Sequence, residues 1–137
     1  MAATITLSQA ELKRRGDLAY DNRAYKVFLA DNSTAGLDEE DTAALWLAEE
    51  LATANGYAAV TGTIAAGSGA YNATTARYEV PAIVAVFTAT GTGFTYDTVV
   101  MRIGTETSIV GTLVEDPPIT LLAGQSKSYR IIVGQND

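Results

Sequence analysis

The chain has 137 residues, 47% of them apolar and 18% charged, so it is long enough to bury a core and too apolar to be a disordered tail. Its formal net charge of −7 argues against a phosphate-tracking surface, and no nucleic-acid partner is expected. It contains neither cysteine nor histidine, which removes disulfide frameworks, thiolate zinc sites, Ser–His and Cys–His catalysis and histidine proton shuttles together.

Met1 to Leu7 carries no basic stretch and no apolar core of signal-peptide length, so no secretory leader is expected there. Ser8, with Glu11 three residues on, has the spacing of a capping box, and Leu7 and Leu12 occupy the flanking staple positions. A short helix is predicted, with Lys13-Arg14-Arg15 in its last turn, where cations meet the negative end of the dipole, and Gly16 as its stop. Tyr25 to Ala30 reads as a strand, and Asp31 to Gly36 as a loop. A second helix is predicted over about 39–55, capped by Asp38, with the acids 38–41 on its positive end and Asn55-Gly56 as its stop. In that helix Ala43, Ala44, Leu47, Leu51 and Ala54 share one face, Leu45 and Ala52 lie nearly opposite, and Trp46 sits on the flank.

Composition then changes. Residues 57–112 hold only five charges, no leucine occurs between Leu51 and Leu113, and β-branched and aromatic residues take over. Strands are predicted over 57–65, 71–80, 82–90, 94–103, 107–114 and 118–134, the last split by Ala123-Gly-Gln125 into a hairpin that pairs 119–122 with 128–133. Gly67-Ser-Gly69 and Gly91-Thr-Gly93 read as hairpin turns, and Pro117-Pro118 as a connection or an edge. The uncharged stretches 51–76 and 80–96 are too rich in Thr, Gly and Asn to span a membrane, so no membrane partner is expected. The expected fold is mainly β: an antiparallel sandwich, jelly-roll-like in one form, with two short helices near the N-terminus. It forms one domain over 1–137, a helix-containing front part (1–56) on a β-rich body (57–137).

Candidate chemistry is sparse. Asp31 and Gly36 match positions 1 and 6 of a calcium loop, but Ala35 and Thr42 stand at positions 5 and 12, so an EF-hand is rejected and no metal or cofactor is expected. The glycine turns lack the pattern of a phosphate cradle. Glu115 and Asp116, as strand neighbours, point to opposite faces and do not make a glycosidase pair alone. Asn32-Ser-Thr34 and Asn72-Ala-Thr74 match glycosylation sequons and are expected as unmodified turns. Lys13, Arg14 and Arg15 are candidates for contact with an acidic partner. Leu45, Trp46 and Ala52, the apolar surplus of the second helix, are candidates for contacts between subunits.

Residues 78–136 resemble the small β-rich accessory proteins of tailed-phage virions. The likeness runs through Ile83 to Thr90, Gly91-Thr-Gly-Phe-Thr-Tyr-Asp97, Val99 to Ile103, Pro117-Pro-Ile-Thr-Leu-Leu122, Ala123-Gly-Gln125 and Tyr129 to Val133. The resemblance implies a non-enzymatic virion structural protein, made in the host cytoplasm, that binds itself and phage capsid or tail proteins. Capsid decoration (cement) is the first role it implies; tail, baseplate or fibre anchoring is the second. Its trimeric assembly follows from the resemblance alone. A carbohydrate-binding sandwich, stacking sugars on Trp46 or on exposed tyrosines, is the contrasting reading.

Overall fold

The computed structural model describes Ala3 and residues 5–135, and among these the chain forms two helices and nine strands. The mainly β, antiparallel architecture with two helices is what forms. Contacts divide the chain into two units, Met1–Arg23 with Thr63–Ile83 and Arg130–Asp137, and Ala24–Gly62 with Val84–Tyr129. Neither is a continuous stretch, and the change of composition near residue 56 falls inside the second.

In the first unit, helix α1 (Gln9–Tyr20) starts as its sequence demands: the Ser8 side chain accepts from the Glu11 backbone N–H at 3.1 Å. It does not stop at Gly16. The helix runs on to Tyr20 and is closed by Asp21, so Lys13-Arg14-Arg15 lies in its middle. Gly16 is buried for another reason: a Cβ there would collide with the ring of Tyr78. The tight approach of that fully buried ring is gained at the modest helix-propensity cost of a glycine, about 1 kcal/mol. Tyr78 stacks on Tyr20 with centroids 6.1 Å apart and donates its hydroxyl to Asp17.

The strand expected over 71–80 is a hairpin of β3 (Ala70–Asn72) and β4 (Arg77–Glu79), extended by β9 (Gly134–Gln135) in the order β3-β4-β9. Asn72 makes the turn: its Oδ1 accepts from Thr74 N–H at 2.9 Å and Thr75 N–H at 3.3 Å, and Ala76 takes a φ of 56°.

The second unit is built on a sheet of order β2-β1-β6-β7, comprising β2 (Val60–Thr63), β1 (Ala24–Ala30), β6 (Phe94–Ile103) and β7 (Gly111–Leu121). β1 and β6 pair antiparallel from Tyr25↔Ile103 to Ala30↔Thr98. Val27 to Ala30 and Thr98 to Met101 are all buried, so both faces of this central pair are covered. Phe28, Ala30 and Val100 cluster with Ala43, Trp46 and Ile109. A second cluster of rings, Tyr57, Phe87, Phe94, Tyr96 and Tyr129, joins β6 to the two-stranded sheet of β5 (Ile83–Thr88) and β8 (Ser126–Ile131), in keeping with sandwich packing.

Several connections differ from the sequence expectation. The second helix is only α2, Ala43–Ala48, with Thr42 as its cap in place of Asp38. Residues 49–51 leave it because the end of β1 captures their backbone: Asp31 N–H bonds Glu49 O at 3.2 Å and Leu51 N–H bonds Leu29 O at 3.0 Å. Asn55-Gly56, expected as a helix stop, is a turn with φ of 54° and 83°.

The Ala123-Gly-Gln125 turn forms, with Gln125 N–H on Leu122 O at 2.9 Å, yet it does not make a hairpin. Ile119 and Leu121 pair with Tyr96 and Phe94 of β6, while β8 pairs with β5. The turn itself is docked on Ala89 through Gly124 N–H to Ala89 O and Ala89 N–H to Gln125 O, which steers the chain into the other sheet. Gly91-Thr-Gly93 likewise joins strands of different sheets, β5 and β6, and so does Gly67-Ser-Gly69, between β2 and β3. Pro117-Pro118 lies on an edge as expected. Residues 115–118 face Asp97 alone, between the pairs Thr98↔Val114 and Tyr96↔Ile119, so the ladder is interrupted at the prolines.

Candidate functional site

Each base of the cluster is paired within its own helix. Lys13 Nζ lies 2.8 Å from Asp17, and Arg14 and Arg15 both hold Glu11, at 2.6 and 3.1 Å. The Arg14 hydrogen bond, and after it that of Arg15, lowers the Glu11 carboxyl to about 2. An acidic partner would therefore compete with Glu11 and Asp17 for Lys13, Arg14 and Arg15, whose side chains stay about half exposed.

The three candidate subunit contacts separate. Trp46 is 1% exposed and belongs to the core: it packs with Phe28, Ala30, Val100 and Ile109, and its indole N–H donates to Asp38 O at 3.0 Å. It offers no surface to a subunit or a sugar. Leu45 is 48% exposed and Ala52 is exposed, but the helix ends at Ala48, so they do not share a helical face.

The first unit carries a shallow groove of about 470 Å³ against its hairpin, lined among others by Tyr71, Asn72, Glu79, Pro81, Arg130 and Ile132. Glu79 at its floor is fully engaged, accepting from Asn72 Nδ2 at 2.7 Å, Arg77 Nε at 2.8 Å and Thr75 Oγ1 at 3.1 Å. Those bonds, that of Asn72 foremost, hold its carboxyl below the ordinary range. It braces the hairpin and is poorly placed to move protons. Tyr57, Tyr78, Tyr96 and Tyr129 are buried, and desolvation raises all four hydroxyls above the ordinary phenol value. Tyr71 is the half-buried tyrosine that lines the groove.

Two polar networks fix the second unit. Tyr57 donates to Glu50 at 2.6 Å, Lys26 donates to the same carboxylate at 2.6 Å, and the Tyr57 oxygen accepts from Leu29 N–H at 3.2 Å. Tyr96 and Tyr129 share a hydroxyl bond of 2.7 Å, and Tyr129 also donates to Glu115. Both networks tie loops or the edge strand to the sheet.

Apolar strand surface also remains open. On β5 alternate residues face outward, leaving Val84 and Val86 59% and 50% exposed. β7 is paired with β6 on one side and ends the sheet on the other, with Leu113 and Val114 49% and 68% exposed. Sequence reasoning missed all four. The unbroken apolar run Ile83 to Phe87 reads as a strand covered on both faces, so it carried no sign of this exposure, which follows from the strand lying in a two-stranded sheet. The proline pair marking an edge was the signal for β7.

Among the described residues, no group of three or more acidic side chains is placed to hold a metal ion, and no helix is long and apolar enough to cross a membrane. Fold and surface together define a mainly β protein whose most prominent open features are strand edges and apolar strand faces. Comparison of the chain with protein-family models, with curated proteins and with solved structures finds no match.

Proposed function

We propose that this protein is a non-enzymatic structural component of a tailed-phage virion, binding neighbouring subunits. Capsid decoration is its leading role, and tail, baseplate or fibre anchoring the other. Its partners are then itself and capsid or tail proteins, and its place is the virion. The observation that supports this reading is the apolar edge of β7, where Leu113 and Val114 stand about half or more exposed on a strand that ends its sheet among the described residues. Such an edge binds through main-chain pairing and buried area, without reacting groups. The phage setting rests on the resemblance of residues 78–136.

The test is co-sedimentation. Tagged protein, produced together with the capsid and tail genes neighbouring its own, is expected to travel with assembled particles. Its absence from particles of both kinds overturns the reading. The sugar-binding alternative rests on Tyr71 in the groove of the first unit. It requires a melting shift with saccharides, since a ligand at a hundred times its Kd stabilises by about 2.7 kcal/mol; no shift is expected.

A further inference from the structure

We propose that the Gly111–Val114 edge of β7 pairs antiparallel with the same edge of a second copy across a two-fold axis, joining two four-stranded sheets into one. The proposal rests on the reading of this chain as a subunit-binding protein and names the partner of that edge.

The edge is guarded over only half its length. Glu115, Asp116, Pro117 and Pro118 break the ladder and carry the charge and the missing N–H groups that discourage further pairing. Gly111-Thr-Leu-Val114 has neither charge nor proline, and its regular pairing with Val99, Val100 and their neighbours keeps it extended. Leu113 and Val114, as neighbours on a strand, point to opposite faces, and both are exposed. A further strand would cover both at once, whereas a contact on one face would cover only one of them.

Charge restricts where a second copy can meet the first. The chain is at −7, so two copies repel over most approaches. From Thr107 to Val114 there is no charged residue. With the axis through Leu113, each Leu113 faces the other copy's Leu113 and each Thr112 its Val114, because residues directly opposite in an antiparallel pair share a face. Glu115 and Asp116 then fall opposite the uncharged Gly111 and Val110, so acid never meets acid. A two-fold pair also closes on itself, which an edge strand needs if it is not to propagate.

The experiment measures mass by light scattering at high micromolar concentration and, separately, the distance between spin labels. The chain has no cysteine, so Leu113→Cys carries a single label. The parent is expected at twice the monomer mass and Leu113→Lys at the monomer mass, while Val84→Lys on the outer face of β5 stays doubled. Labels at Leu113→Cys should lie within the shortest distances the method reads, and labels at Val84→Cys farther apart. Circular dichroism checks that Leu113→Lys is folded, and the labelled pair decides the matter if it is not. A monomeric or trimeric parent, or a dimer whose Leu113 labels are remote, overturns the proposal. A monomer that still sediments with particles overturns the self-pairing alone, and a dimer that ignores particles overturns the virion reading alone.

Discussion

Glu11 shows how much of this chain's charge is spent locally. Its carboxylate caps no helix end; it is gripped by Arg14 and Arg15 from the following turn. Its folded pKa of about 2 lies below the ordinary 4.5. A depressed acid contributes stability that is present above its unfolded pKa and lost as pH falls through the folded one. The expected window is therefore between about 4.5 and about 2. Carboxyl NMR should place the Glu11 midpoint near the lower figure, and Arg14→Gln should move it up more than Arg15→Gln does. A midpoint near the ordinary value in the parent would mean the two ion pairs do not hold in solution.

Gly16 makes the complementary point about volume. Because a methyl there meets the Tyr78 ring, Gly16→Ala is expected to destabilise by about 1–3 kcal/mol in urea unfolding, although alanine is the better helix former. The Ser8 cap was legible because its partner, the Glu11 N–H, lies three residues on. The role of Gly16 was not, because its partner lies on another element and no local pattern names it.

At the scale of elements, α2 survives through one side chain. Its six residues are too few for intrinsic stability, so it stands on the burial of Trp46 against Phe28 and Val100 and on the Thr42 cap. Trp46→Ala should cost about 3–5 kcal/mol by denaturant titration followed with circular dichroism, while Leu45→Ala on the exposed side should stay within about 0.5 kcal/mol. Equal effects would place the helix packing elsewhere. β6 was readable to its ends, 94–103, because a long run of Phe, Tyr, Val, Met and Ile has one natural conformation. The helix expected over 39–55 had good periodicity, yet periodicity cannot weigh the unpaired backbone at the end of β1 that pulls 49–51 away. The expected hairpin at Ala123-Gly-Gln125 failed in the same way. Alternation and a glycine turn identify two strands; which sheet each joins is decided by Ala89 docking the turn and by Tyr129 reaching Tyr96. The same gap hid the open edge, since exposure of Leu113 and Val114 follows from strand order and strand order is long-range.

For the whole molecule, charge distribution decides how assembly should answer to salt. Ten of the sixteen acids lie in residues 1–56, the acids 38–41 and Glu49 among them, and the proposed β7 contact is free of charge. Two copies at −7 therefore approach against a net repulsion that no ion pair in the Gly111–Val114 contact offsets. Raising NaCl from about 0.05 M to about 0.5 M shortens the screening length well below the dimensions of the chain and should strengthen self-association. Sedimentation equilibrium across that range is expected to show the dimer Kd falling. A contact made instead through Lys13, Arg14 and Arg15 to the acids of another copy would respond in the opposite sense, because salt screens the attraction that holds it. A Kd that rises with salt would therefore move the interface from β7 to α1.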